Sequence, residues 1–368
     1  YARCKMKSIR AAARFTAAAM AAIMLALPCA VFATNDAENA AVEIWVSPSG
    51  DDKAAGTKEA PLATIAAARD AVRAKRGGGD GEAAVYISAG VYPQTETLSL
   101  GAEDGGVTYK ADGGEVVIEG GIVLGESDFR SMTDSDAMSS RITAEGVGEK
   151  IIVADLAKLG IAYDNAVFTE KDPGLSLYFG GDRARIARYP DYGDKGAYIY
   201  AFHSRAKEGD PEVPADLGGS RFYDKRGRIA KWASIDGAYA AGSFSIDWQQ
   251  TYPVPIVAYD AESGMVSLPS NTLSAESGLG GRYYYLNVPE ELDKVGEYYI
   301  DAGTGLLYFY APDNWRDIRI TVGACRETVV DVKADGVTFD GITIEGGYDD
   351  GIHLVGDGNR MLNCIVRD

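Results

Sequence analysis

The chain has 368 residues, with 54 acidic side chains against 36 basic ones, a net charge of −18 and two histidines. Acidity on this scale argues against nucleic acid or an anionic membrane surface as a partner. With so few histidines and no CxxC, HExxH or paired-His spacing, a zinc site is not expected.

Residues 1–33 read as a signal peptide. Lys5, Lys7, Arg10 and Arg14 form a basic start, Phe15 to Phe32 is apolar and Ala-rich, and Val31-Phe32-Ala33 suits cleavage. An uncleaved anchor competes, but the run is short and broken by Pro28. Cys29 directly follows that proline, which does not suit a lipoprotein site. A secreted, extracytoplasmic protein is expected, with no membrane role beyond export. Because Tyr1 is no initiator, Met6 is the expected start. Cleavage removes five basic residues and leaves Cys325 and Cys364, with Cys364 expected as a buried free thiol.

Residues 34–42 form an acidic linker. Val42 to Val46 reads as a strand, followed by the turn Ser47-Pro-Ser-Gly-Asp-Asp52. Asp51-Asp52 could meet calcium, although a solvated loop is the plainer reading. Thr64 can cap a helix from Ile65 to Lys75 with Ile65, Ala68 and Val72 on one face, an N-terminal cap over a sheet end. Short strands follow at Ala84–Ser88, Thr97–Leu100, Val107–Tyr109 and Val116–Glu119. Longer β runs then appear at Ile151–Asp155, Leu175–Phe179, Tyr283–Val288 and Glu297–Ile300. Asp260–Gly264 and Asp301–Gly305 look like hairpin loops whose glycine takes positive φ.

From Val329 onward the sequence repeats with a register of 22 residues. Val330 falls over Ile352, Val332 over Leu354, Phe339 over Met361, Ile342 over Cys364 and Ile344 over Val366. Period-two alternation with Asp-Gly turns at a fixed spacing predicts a solenoid with one coil per repeat. The expected fold class is all-β: a right-handed parallel β-helix, capped by the helix and interrupted by a β-rich inserted domain. The boundaries are 43–124 for cap and first coils, 125–314 for the insert, and 315–368 for the main β-helix. The solenoid pattern is expected to resume at Ile318–Val322. A solenoid needs about three or more coils, so further coils are expected beyond Asp368.

Several segments resemble a known family. Val46-Ser-Pro-Ser-Gly-Asp-Asp52, Gly56-Thr-Lys-Glu-Ala-Pro-Leu-Ala-Thr-Ile65 and Arg69-Asp-Ala-Val72 are similar to the opening of extracellular right-handed β-helix carbohydrate-active proteins. Ile118-Glu-Gly-Gly121, Asp182 to Pro190, Gly296 to Asp301 and Gly305 to Tyr310 resemble the branch with an inserted β domain, nearest to glycoside hydrolase family 141. The resemblance spans about residues 43–368. It implies a polysaccharide or oligosaccharide as partner and hydrolysis of a glycosidic bond, without identifying the bond. It carries no catalytic position onto this chain. A polysaccharide lyase or a non-catalytic glycan-binding protein on the same scaffold remain alternatives.

Glycoside hydrolysis needs two carboxyl groups flanking the bond, roughly 5 Å apart for retention and 6.5–9.5 Å for inversion. Residues one coil apart lie about 4.8 Å apart, so vertical stacks are the place to look. Asp331 over His353 is the candidate catalytic pair, the carboxylate orienting the imidazole and favouring its charged form. A surface ion pair is the ordinary alternative. Asp349 and Asp350, just before the second strand, could add carboxylates or ligate calcium, or could be a charged turn. Beyond that calcium option no cofactor is expected, and the protein is expected to be a monomer. Glu345 over Arg367 reads as a ladder ion pair. Tyr283–Tyr285, Tyr298, Tyr299, Tyr308 and Tyr310 read as core aromatics before sugar platforms. Arg183, Arg185 and Arg188 could bind uronate carboxylates, though pairing within this acidic chain is the stronger expectation.

Overall fold

In the computed structural model, which describes residues 41–79, 81–161, 175–191, 199–201, 221–224, 226–242, 253–269 and 281–367, alternation in the sequence becomes strands. The expected signal peptide and most of the linker lie outside these residues. The described chain is all-β in class, and α1 (Ile65–Arg76) is its α-helix.

Three strands and the repeat build a parallel sheet. β1 (Val42–Val46) pairs with β2 (Ala83–Pro93), and β2 pairs with β4 (Val107–Glu119). β4 then takes Thr338–Asp340 and Ile342–Glu345 as parallel neighbours. Those two strands in turn pair with Arg360–Leu362 and Ile365–Arg367. A second parallel sheet joins β3 (Leu98–Leu100), Val330–Lys333 and Ile352–Val355. Partners follow the 22-residue register residue for residue: Val330 with Ile352, Phe339 with Met361, Ile344 with Val366. Alternate residues of both sheets meet in one core, where Val85, Tyr109, Val330, Val332, Phe339 and Ile344 are buried together. Tyr109 stacks on Phe339 with ring centroids 5.3 Å apart.

α1 covers the β1 edge of this sheet, burying Ile65, Ala68 and Val72 in the same core. Its N-terminus is closed as expected, and its C-terminus is closed as well. Thr64 accepts from the Ala67 amide, and Gly77, at φ 58°, returns its own amide to the Arg73 carbonyl. Asp52 is committed to this corner, accepting from the backbone amides of Ala63 and Thr64 at 2.9 and 2.8 Å. It is a loop clamp.

Between β4 and Val330–Lys333 the sheets are largely antiparallel. One orders Arg185–Ile186, Glu297–Asp301, Leu306–Tyr310, Ile151–Asp155 and Phe129–Ser131. A second is built around Gly281–Leu286, paired with Arg188–Tyr189, Tyr239–Gly242 and Ile199–Ala201. Asp260–Gly264 and Asp301–Gly305 do join hairpins, with Gly264 and Gly305 at φ 72° and 70°. Ile318–Val322 does not return to the parallel pattern. The strand there, Ile320–Gly323, pairs antiparallel with Gly121–Leu124 and Leu177–Phe179. Alternating Ile, Thr and Val side chains suit either strand direction, so pattern alone could not decide it. Cys325 is buried and Cys364 half-buried; both are free.

Candidate functional site

Period two turns Asp331 and His353 away from the core, because Val330 and Val332 face it. Parallel register sets the two side by side, with Ser99 opposite Asp331 on the other flank. Asp331 Oδ1 lies 3.0 Å from His353 Nδ1, and Lys333 Nζ donates to Oδ2 at 2.6 Å. The carboxylate is 17% exposed and the imidazole 51%. The Lys333 hydrogen bond, seconded by His353, holds the Asp331 carboxyl below the usual carboxylate range. With Nδ1 turned to Asp331, His353 has Nε2 without a protein partner among the described residues. A ring held this way can exchange a proton at Nε2 with a water or a sugar hydroxyl.

Asp349 and Asp350 are exposed in the turn before His353, where the Asp350 carbonyl accepts from the Val329 amide at 3.0 Å. Among the described residues, the carboxylates that gather three together are Asp191, Asp293 and Glu297, within 4.8 Å of one another. Neither Asp349 nor Asp350 joins them. Glu297 is buried, and burial, with Asp191 and Asp293 adding repulsion, pushes its carboxyl up to about 9. Its Oε2 accepts from the Lys294 amide at 3.2 Å. These are hard oxygen donors of the kind calcium takes, though calcium commonly takes about six to eight.

A pair of stacked carboxylates is buried elsewhere. Glu345 is opposite Glu119 in the parallel register, and each is 1% exposed. Arg319, from the antiparallel part, bridges both, with Nε 3.0 Å from Glu119 Oε2. Arg367 donates to Glu345 Oε2 at 2.6 Å, so the expected ladder pair exists but is part of a buried cluster. Burial pushes Glu119 up to about 7, against the pull of Arg319 and with a push from Glu345. A sugar chain cannot reach this pair; it fastens two parts of the fold. The signal was in the sequence: Ile118-Glu-Gly-Gly121 and Ile344-Glu-Gly-Gly347 are the same four residues. The tyrosine runs are core, as expected, with Tyr283, Tyr285, Tyr298, Tyr299 and Tyr308 buried.

No protein-family description matches the sequence, and no curated protein matches it. Solved structures do. One described as "Glycoside hydrolase" superposes with a TM-score of 0.56 at 19% identity, over 82% of this chain and 50% of that one. The two share a fold, and this chain spans half the length of that structure. Another, "The complex structure of XylC with xylose", aligns over 84% of this chain and 36% of its own, at a TM-score of 0.31 and 15% identity. That score is too low to bear on the fold.

Proposed function

We propose that this protein is a secreted carbohydrate-active protein that hydrolyses a glycosidic bond in a complex polysaccharide. In this reading the parallel sheets are coils of a right-handed β-helix, as in proteins like glycoside hydrolase family 141, and the antiparallel sheets are a domain inserted between them. The observation that carries it is the fold held in common with a structure described as a glycoside hydrolase over 82% of this chain. The outward Asp331–His353 stack supplies matching chemistry, since a positioned imidazole works as general base or acid. His353 takes a proton from the attacking water at Nε2 while Asp331 holds the ring, and Asp349 and Asp350, in the turn before His353, are the candidates for the second carboxyl the reaction needs.

The test is incubation with a panel of plant and host polysaccharides, following release of reducing ends. Hydrolysis yields reducing ends without new ultraviolet absorbance. Unsaturated products, lost on adding a chelator, would replace the hydrolase with a lyase, and retention without release would leave a glycan-binding protein. Asp331→Asn and His353→Ala are each expected to lower kcat by about 10² or more, as for loss of a general acid or base. Unchanged kcat in both variants places the chemistry elsewhere.

A further inference from the structure

Among the described residues, many arginines of this acidic chain are already paired. Arg73, Arg130, Arg141, Arg228, Arg316, Arg319 and Arg367 each hold a carboxylate. Arg183 does not. It is exposed, its guanidinium bonds the Ser176 hydroxyl at 2.5 Å, and it lies 5.9 Å from the centre of the Tyr178 ring. Among the described residues it has no carboxylate partner.

Two adjoining clefts share this arginine. One, of about 230 Å³, is lined by Ser176, Arg183, Arg185, Arg188, Tyr284 and Tyr298 among others. The other, of about 180 Å³, adds Phe179, Lys294 and Val295. Together they reach the low end of ordinary ligand pockets, roughly 300–1,000 Å³. Their walls combine basic groups with aromatic and aliphatic surface. The Tyr284 ring is held in place by Arg188, whose guanidinium sits 3.8 Å above it while Nε donates to the Pro190 carbonyl. Glu297 borders the second cleft. Asp182 also lines it and, like Arg183, is exposed.

We propose that the Arg183 clefts are a subsite for an acidic sugar, with the Arg183 guanidinium receiving the carboxylate of a uronic acid residue. The planar guanidinium presents paired N–H donors in the geometry of a carboxylate, and an unpaired, exposed one pays no cost of breaking an existing ion pair. Tyr284 and Val295 give the apolar face of the sugar ring a surface to cover. This rests on the polysaccharide reading and narrows it to chains that contain uronic acids.

The experiment is calorimetric titration of the full chain with trigalacturonate, with its methyl ester, with xylotriose and with inorganic sulfate. Trigalacturonate is expected to bind at least about tenfold more tightly than its ester, the size of a lost charge-assisted hydrogen bond. Arg183→Ala should abolish that preference and Arg183→Lys should restore only part of it, each variant keeping the wild-type circular dichroism. Equal binding of acid and ester, a preference that survives Arg183→Ala, or sulfate binding as tightly as trigalacturonate would each overturn the subsite. Xylotriose bound while trigalacturonate is ignored refutes the subsite and leaves the polysaccharide reading standing. Trigalacturonate bound but never cleaved supports the subsite and counts against the hydrolase.

Discussion

Replacing Glu119 by Gln should stabilise the protein in alkaline buffer and change little in acid. Glu119 is fully buried beside Glu345, and its carboxyl is raised from the ordinary 4.5 to about 7. A carboxyl raised in the folded state binds its proton more tightly there than in the unfolded chain. Its stabilising share is therefore complete below about pH 4.5 and is lost as pH climbs through about 7. Between about pH 5 and pH 8 the loss amounts to roughly 2–3 kcal/mol for this one group. Gln has the same shape, can turn its oxygen to Arg319 and its amide hydrogens to Glu345, and cannot ionise. Urea unfolding of wild type and Glu119→Gln, followed by tryptophan fluorescence, reads the difference and cancels other titrating groups. The stability curves should converge near pH 5 and separate by roughly 2–3 kcal/mol near pH 8, the variant on top. Curves that run parallel across this range, or a variant that is weaker at pH 8, would falsify the argument.

Other substitutions have definite expectations. Phe339→Ala empties the core position stacked on Tyr109 and should cost about 3–5 kcal/mol in urea unfolding. Glu291→Ala strands Arg228, which donates to Glu291 at 2.6 Å, and the Trp232 indole, which donates at 2.5 Å. About 3–5 kcal/mol is expected, with a shift in tryptophan emission as the check. Gly346→Ala places a methyl against Glu119 Oε1 at a residue with φ 74°, so a loss of about 1–3 kcal/mol should appear as a lower urea midpoint. Thr64→Ala removes the cap on the Ala67 amide and should cost about 1 kcal/mol, with faster amide exchange in the first turn of α1.

Local signals in the sequence were readable wherever chemistry acts over a few residues. Thr64 and the apolar spacing of 65, 68 and 72 define α1 because capping and one-sided burial are short-range effects. The 22-residue register survives because each repeat places the same positions inward, and with it came the juxtaposition of Asp331 and His353. Reading failed where a local signal has two meanings. Asp112-Gly113-Gly114 looks like a turn, yet β4 runs through it from Val107 to Glu119 and carries extra residues there, Ser88 pairing with Asp112 and Gly90 with Val116. The Glu119–Glu345 stack escaped notice because its two copies stand far apart in the chain, outside the repeat period. Arg319 gave no signal at all, since its place between two carboxylates depends wholly on tertiary packing. The Arg183 clefts likewise draw on segments far apart in sequence.

The pairing of Gly121–Leu124 with Ile320–Gly323 carries a consequence for the order of folding. β4 must find strands at 338–345, a search over most of the chain, and such distant pairings are slow. The antiparallel ladder at 121 and 323 acts as a clasp, reinforced where the amides of Ala324 and Cys325 both reach the Gly120 carbonyl at 3.2 Å. Once it closes, β4 and its distant partners are tethered as if by a short turn, and the entropy of joining them falls accordingly. Until then β4 has an unpaired edge, the kind of edge that recruits neighbouring chains. Mutations that loosen the clasp should therefore show first as aggregation during expression, before any loss in the stability of the finished fold.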